Sequence, residues 1–249
     1  MTTEPNTPDA AESSRSEHVP DSDTVTPVME DYLKTIYELQ YDRDGAVWTS
    51  RIADSLEVTP PTVSSMLEKL ERRGLIHREK HRPVTLTETG ENVALGVIRN
   101  HRLLETFLAD YLEYEWDEVH AEADRLEHYV SDQFVDRLTA MLEHPSSDPH
   151  GDPIPDEALA APTRSWIRLS EAEAGVSHRV ERVRADGERL RYLADCGITP
   201  GVPVEIVERT PLESVEIAIE SDPDHEPNSQ VLPKRACERI LVGPLPGNN

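Results

Sequence analysis

Lysine is nearly absent from this sequence. Four lysines (Lys34, Lys69, Lys80 and Lys234) stand against 21 arginines and 49 acidic residues in 249, and the formal charge is −24. So acidic a chain is not one that clings to polyanions by net charge, as most nucleic-acid binders do. The acid is spread along nearly the whole length rather than gathered in one tail. That distribution suits a surface kept soluble in concentrated salt better than a dock for a single basic partner, so a halophilic protein is expected. Cysteine is scarce too: Cys196 and Cys237 are far apart, which excludes a thiolate metal site of CxxC type and leaves two buried, reduced thiols as the expectation. No apolar run approaches the ~18 to 20 residues that span a bilayer. Residues 1–23 are polar and acidic, unlike a secretory signal, so a cytoplasmic protein is expected. Hydrophobic residues amount to 37%, enough for small cores rather than one thick one.

What is present divides into five parts. Residues 1–25 combine Asp, Glu, Ser, Thr and Pro with few large apolar groups, a composition of disorder. Residues 26–90 open on Thr26-Pro27, a cap-and-proline helix start, followed by Val28, Tyr32, Leu33, Ile36 and Leu39. Thr49 then caps a short helix carrying Ile52, Ala53 and Leu56. Thr59-Pro60-Pro61 starts another, with Val63, Met66, Leu67 and Leu70 on one face and Gly74 at its end. Residues 75–80 and 84–87 read as two short strands around His81-Arg82-Pro83. Helix-turn-helix plus hairpin is a winged helix. The charge balance reverses here: from Met66 to Arg82, six basic residues (Lys69, Arg72, Arg73, Arg78, Lys80, Arg82) face three glutamates. In so acidic a chain this local excess points to phosphate contacts.

Two longer helices are expected over 91–112 and 116–142. The second bears an apolar stripe of Val119, Ala123, Leu126, Val130, Phe134, Leu138 and Met141. That is more than a small winged helix needs to cover, and an exposed remainder would suit a two-fold dimer. Residues 145–164 contain Pro145, Pro149, Pro153, Pro155 and Pro162, a linker composition. Residues 165–245 change to short β-like runs (166–169, 176–183, 202–207, 214–219, 239–242) with a helix at 187–195, read as a small β-barrel. The fold expected is therefore mainly α with small β parts.

The densest chemistry lies in His120-Ala-Glu-Ala-Asp124-Arg-Leu-Glu127-His128. Its four potential ligands, His120, Asp124, Glu127 and His128, fall at helical spacings and share one face. His101 and Glu105 repeat the i, i+4 arrangement on the preceding helix. Imidazoles and carboxylates without a thiolate suit a divalent metal of intermediate to hard character.

In order and spacing the chain resembles the diphtheria toxin repressor (DtxR) family of metal-dependent transcriptional regulators, over about residues 28–242. Met29-Glu30-Asp31-Tyr32-Leu33 looks like the first helix of its manganese-responsive branch. Thr59-Pro60-Pro61-Thr62-Val63-Ser64 resembles its recognition-helix start, and Asn100-His101-Arg102-Leu103-Leu104-Glu105 and Glu127-His128 resemble its metal helices. Asp148-Pro149-His150-Gly151-Asp152-Pro153-Ile154-Pro155 is similar to the loop that follows, and Gly197-Ile198-Thr199-Pro200-Gly201 to FeoA-type barrels. The resemblance implies one metal site of Asp31, Asp124, Glu127 and His128. It implies a second of His101, Glu105 and His120, with a further ligand near Asp186 or Glu188. Iron-responsive members have methionine at the position of Asp31 and cysteine at that of Asp124. Two aspartates favour Mn(II), with Fe(II) acceptable to the same set. Lys34 stands where the manganese branch has glutamate, which counts against a bridged two-metal arrangement of that type.

The implied function is metal-dependent repression of metal-homeostasis genes. Asp31 belongs to the DNA-binding unit, and Asp124, Glu127 and His128 belong to the dimer helix. Metal would tie the two and set the recognition helices of a homodimer about 34 Å apart on operator DNA. Base contacts would fall to Thr59, Pro61, Thr62 and Ser65. Two rivals remain at this point. Asp124-Arg-Leu-Glu127-His128 is one residue away from the H-x-x-E-H pattern of some zinc peptidases, although the first histidine is missing. A winged-helix regulator without metal would leave the ligand constellation unexplained.

Overall fold

A computed structural model describes residues 25–41, 45–160, 165–185, 187–210, 214–219 and 228–245. The acidic segment expected to be disordered lies outside these residues up to position 24.

Helix α1 (Pro27–Gln40) starts as its sequence dictates: the Thr26 hydroxyl accepts from the Met29 N–H at 3.4 Å, and proline takes the first helical position. It buries Met29, Tyr32, Leu33 and Ile36, whereas Val28, expected in the apolar stripe, is exposed. Helix α2 (Thr49–Ser55) is preceded by Trp48 at the cap position, so Thr49 opens the helix rather than capping it. Helix α3 (Pro60–Arg72) drives Val63, Leu67 and Leu70 into the same core as Leu33, Ile36 and Ile52. All six are completely buried, the kind of side chain whose truncation to alanine costs ~2–5 kcal/mol. Strands β1 (Ile76–His77) and β2 (Thr85–Leu86) pair antiparallel but are shorter than expected. Leu75, Ile76 and Val84 are anchored in the core, and the stretch between Ile76 and Val84 is polar and mostly exposed.

Helix α4 (Glu88–Leu112) begins three residues before the expected 91, because Thr87 caps it by accepting from the Gly90 N–H at 3.1 Å. A Cβ on Gly90 would lie 1.9 Å from the Leu75 carbonyl oxygen, so glycine lets this helix seat against the wing. The single helix expected over 116–142 is two: α5 (Val119–Leu126) and α6 (Asp132–Met141). Ser131 starts α6 by accepting from the Phe134 N–H, and Asp132 lies in its first turn. That N-terminal signal outweighs the continuity of the apolar stripe. Val119, Ala123, Val135 and Leu138 pack with Leu103, Leu104 and Leu108 of α4, while Leu126, Phe134 and Met141 stay exposed, as does Tyr129.

The proline-rich stretch read as a linker does not hang free between residues 145 and 160. Arg99 reaches the Pro155 carbonyl at 2.5 Å and Arg102 the Pro153 carbonyl at 2.5 Å, while Trp116 Nε1 donates to the Pro149 carbonyl at 2.9 Å. Proline composition signals extended chain, but cannot reveal that arginines elsewhere will hold it down. Gly151, at φ +86°, brings this loop against the C-terminal sheet: a Cβ there would sit 1.8 Å from the Glu181 carbonyl oxygen. The Val183 N–H then donates to the His150 carbonyl at 2.9 Å.

The C-terminal region holds β3 (Ile167–Arg168), β4 (Ser177–Val183), α7 (Gly187–Asp195), β5 (Pro203–Arg209), β6 (Ser214–Ile219), β7 (Asn228–Pro233), α8 (Lys234–Cys237) and β8 (Ile240–Pro244). One antiparallel sheet runs in the order β3-β8-β4-β5-β6-β7. No pairing joins β7 to β3 among the described residues, so the expected barrel is an open sheet here. Its edges explain this: β3 offers two residues, and β7 buries only Leu232. Register shifts at Val180/Arg182 and Ile206/Glu208 bend the sheet over a core that includes both free cysteines.

Candidate metal centres

Helices α1, α4 and α5 meet where their ionisable residues face one another. On α1, Glu30, Asp31 and Lys34 fall within one turn and look toward the end of α5. His128 lies just past that end, and neighbouring α1 carboxylates hold both edges of its ring. Glu30 Oε2 is 2.6 Å from Nδ1 and Asp31 Oδ1 2.9 Å from Nε2, with Glu127 Oε1 also 3.3 Å from Nε2. Asp31, Glu127 and His128 thereby offer one ligand atom each around a common point. The Glu127 side chain is only 1% exposed, which makes its charge costly without a cation nearby.

His101, Glu105 and His120 form a second group. His101 Nε2 lies 3.0 Å from Glu105 Oε1 and 3.0 Å from His120 Nδ1, and His120 Nδ1 is 3.0 Å from the same Glu105 oxygen. The other edge of His101, Nδ1, is 2.5 Å from Glu127 Oε2. Burial works against charging this imidazole, but hydrogen bonds and charge from Glu105, joined by Glu127, push its pKa up to about 9. Glu105 is buried as well, which alone would raise its pKa; His101, His120 and His150 hold it well below the usual carboxylate range.

Sequence reasoning missed three participants. Glu105, Asp148 and His150 make a third group, all buried, with His150 Nδ1 3.7 Å from Glu105 Oε1. Asp148 Oδ1 fixes this loop by accepting the N–H groups of His150 and Asp152 at 2.8 and 2.9 Å. Burial and the adjacent Asp152 and Glu105 raise the Asp148 pKa well above its ordinary value. The loop's resemblance to a known segment was visible, yet only tertiary packing of a proline-rich stretch carries its histidine to α4. Glu30 is the third: nothing in its sequence distinguishes it from an ordinary first-turn carboxylate. Conversely, Glu188 is exposed and joins none of these groups, and Asp186 lies outside the described residues.

Lys34 stands between the groups. Its Nζ donates to Glu127 Oε2 at 2.8 Å, Glu127 Oε1 at 3.1 Å and Asp124 Oδ1 at 3.1 Å, and lies 3.1 Å from His101 Nδ1. Burial works to lower its pKa, but Glu127 and Asp124 more than compensate and hold it above the ordinary lysine value. Asp124 therefore sits with Lys34, His101 and Glu127 rather than with Asp31 and His128. Burial would raise its pKa, and Lys34, His120 and His101 lower it.

Every donor in these groups is a nitrogen or a carboxylate oxygen, and several are buried, as a divalent cation of intermediate to hard character requires. Only the first group takes a ligand, Asp31, from α1 of the winged helix, so a cation there would be bound by the winged helix and by the end of α5 at once; the other groups draw on α4, α5 and the 148–150 loop. In the winged helix, Thr59 at the start of α3 and Pro61, Thr62, Ser65, Lys69 and Arg72 along it are exposed, as are Lys80 and Arg82 on the wing. Arg73 and Arg78 are half-buried. Glutamates temper this surface: Arg78 is 3.9 Å from Glu68 and Arg82 3.1 Å from Glu79, while Arg72 Nε donates to the Glu68 carbonyl.

Residues 24–84 match the iron-dependent repressor N-terminal DNA-binding domain, residues 87–156 the iron-dependent repressor metal-binding and dimerisation domain, and residues 167–244 the FeoA domain. The chain is 37% identical over 224 residues to the iron-dependent repressor IdeR of Mycobacterium tuberculosis, covering 85% of this chain and 94% of that protein. To the diphtheria toxin repressor of Corynebacterium diphtheriae it is 35% identical over 189 residues, covering 72% and 83%. Among solved structures, it is similar to a manganese-dependent transcriptional repressor in complex with manganese, with a TM-score of 0.81, 37% identity, and coverage of 87% of this chain and 100% of that one.

Proposed function

This chain belongs to the diphtheria toxin repressor family of metal-dependent, DNA-binding transcriptional repressors, and from that premise we propose which of its residues bind metal and DNA and how the two events are linked. The family membership also removes the peptidase reading. The primary metal ligands are Asp31, Glu127 and His128, with Asp124 at their margin, and a second set comprises His101, Glu105 and His120, backed by Asp148 and His150. The ion is Mn(II) or Fe(II): the name of the IdeR relative speaks for iron and a structural neighbour for manganese, while the oxygen-rich donors here lean to manganese.

The observation that carries this reading is the meeting of Asp31, on α1, with Glu127 and His128 at the end of α5. A bound divalent ion supplies the positive charge that lets Asp31 and Glu127 lie close together. Glu30 holds the His128 ring so that Nε2 faces Asp31 and Glu127. Because Asp31 rides on the first helix of the winged helix, fixing it to the end of α5 fixes the attitude of α3. The exposed Leu126, Tyr129, Phe134 and Met141 supply the apolar surface for a homodimer, so two α3 helices are held in a set relation about one DNA turn apart. Thr59, Pro61, Thr62 and Ser65 face base edges; Lys69, Arg72, Arg73, Arg78, Lys80 and Arg82 face phosphates. No described helix is long and apolar enough to cross a membrane, in keeping with a protein that works on DNA.

The test is DNA affinity with and without metal. Fragments are selected from a random-sequence pool in the presence of Mn(II), and their dissociation constants are then measured in Mn(II), Fe(II) and chelator. A loss of at least tenfold in chelator is expected, corresponding to about 1.4 kcal/mol or more of coupling. Equal affinity in metal and chelator would overturn the reading.

A further inference from the structure

We propose that the Lys34 ammonium is a built-in cation that fills the central group of acids and imidazole, so that metal binds on either side of it but not there, and that it clasps α1 to α5 before metal arrives. The inference rests on the ligand assignment proposed above.

Three carboxylate-imidazole groups follow one another along this seam: Asp31-Glu127-His128, then His101-Asp124-Glu127, then His101-Glu105-His120. The central one has the same donor chemistry as its neighbours. What differs is its occupant. Lys34 Nζ lies 2.8 to 3.1 Å from four of its atoms: both Glu127 oxygens, Asp124 Oδ1 and His101 Nδ1. An ammonium carries three donors and no acceptor, so carboxylate oxygens are its natural partners. A first-row divalent ion held jointly by Asp124 Oδ1, Glu127 Oε2 and His101 Nδ1 would need to come within ~2.0 to 2.2 Å of each. It would then sit almost on top of Nζ, a like charge with nowhere to go: the Lys34 side chain is only 13% exposed. Ammonium and metal exclude one another from this place.

Glu127 gains most. Its side chain is 1% exposed, and each of its oxygens is within 3.1 Å of Nζ. Lys34 is therefore a permanent partner for a buried charge, whatever the metal supply. It is also a strut between elements: Lys34 is on α1, and Asp124 and Glu127 are at the end of α5, 90 and 93 positions later. A non-dissociable cation joins the winged helix to the dimer helices at the place where a third, dissociable one would otherwise be needed.

Two measurements on the full-length protein test this. Manganese bound per protomer is counted by equilibrium dialysis and elemental analysis for the natural protein and for Lys34→Glu, whose added carboxylate, with Asp124 and Glu127, opens the central place to metal. Two ions per protomer are expected for the natural protein and three for the variant. Three in the natural protein, or two in the variant, overturns the proposal while leaving the flanking ligands in place. No bound metal in either protein overturns both this proposal and the ligand assignment. The second measurement is thermal melting in chelator. Lys34→Gln is expected to melt several degrees below the natural protein, since Glu127 loses its cation. An unchanged melting temperature overturns the clasp, and this arm decides the matter if Lys34→Glu does not fold.

Discussion

Glu30 Oε2 lies 2.6 Å from His128 Nδ1, on the ring edge away from the nitrogen that faces Asp31. Adjacent residues of one helix thus grip both sides of a single imidazole just past the end of another. A carboxylate on Nδ1 holds the proton there, which leaves the Nε2 lone pair free and aimed at Asp31 and Glu127. Removing the carboxylate frees both the tautomer and the ring. Glu30→Ala is therefore expected to weaken Mn(II) binding by about 10- to 100-fold, with Glu30→Gln, whose amide oxygen can still accept the hydrogen bond from Nδ1–H, recovering part of the loss. Calorimetric titration of the three proteins checks it; unchanged affinity in Glu30→Ala would leave Glu30 as a surface acid.

His101 sets a pH dependence whose sign can be worked out. Its pKa is raised from 6.5 to about 9 because both ring nitrogens face buried carboxylates, Glu105 and Glu127. The charged ring therefore stabilises the metal-free fold fully below about pH 6.5, and that contribution is lost as pH rises through about 9. Metal at the group it shares with Glu105 and His120 must displace a proton. Apparent affinity there should climb about tenfold per pH unit from neutrality toward the folded pKa. Manganese titrations between pH 6.5 and 8.5 without oxygen, together with chelator melts over the same range, read both limbs. A flat affinity profile would exclude His101 as a ligand.

Much of this site is legible in the sequence because it obeys local rules. The spacing of His120, Asp124, Glu127 and His128 needs only helical geometry to put them on one face. Thr26-Pro27 and Thr87 start helices where capping chemistry says they should. What escaped was set by tertiary packing or by weak edges. Asp148 and His150 sit in a proline-rich stretch whose course depends on Arg99, Arg102 and Gly151. Strand β7 has polar residues where an alternating apolar pattern would announce it, because it is an edge with one buried side chain. The break at Tyr129-Val130 was hidden by an apolar stripe that continues through it, although Ser131-Asp132 carried the signal for a new helix.

Asp31 separates metal coupling from dimerisation. Its carboxylate contacts His128, whereas the exposed apolar side chains Phe134 and Met141 belong to α6. Asp31→Ala is expected to lower metal-induced DNA affinity by at least tenfold while the protein still sediments as a dimer, because it removes a ligand and no apolar surface. Monomers in sedimentation velocity would assign Asp31 to the subunit contact instead.

Salt should act on this repressor in the opposite sense to most DNA binders at first. Ordinarily affinity falls steeply with salt because association releases counterions from phosphate. Here the basic residues of α3 and the wing carry the contact, but Glu68, Glu71 and Glu79 lie among them and the chain as a whole is at −24. In dilute salt the distant carboxylates repel DNA unscreened, and they repel one another, which loosens the fold. At about 1 M salt the Debye length is near 3 Å, so only groups in direct contact still interact. Arg72, Arg73, Arg78, Lys80 and Arg82 then act on phosphate without the opposition of the remaining surface. Specific affinity, measured by fluorescence anisotropy at saturating Mn(II), is therefore expected to improve as salt rises from the dilute range and to remain measurable at molar concentration. Circular dichroism run in parallel separates binding from unfolding. A monotonic fall in affinity from dilute to molar salt, with the helices intact throughout, would mean that the acidic surface is no adaptation to concentrated salt and that the wing behaves as any other basic hairpin does.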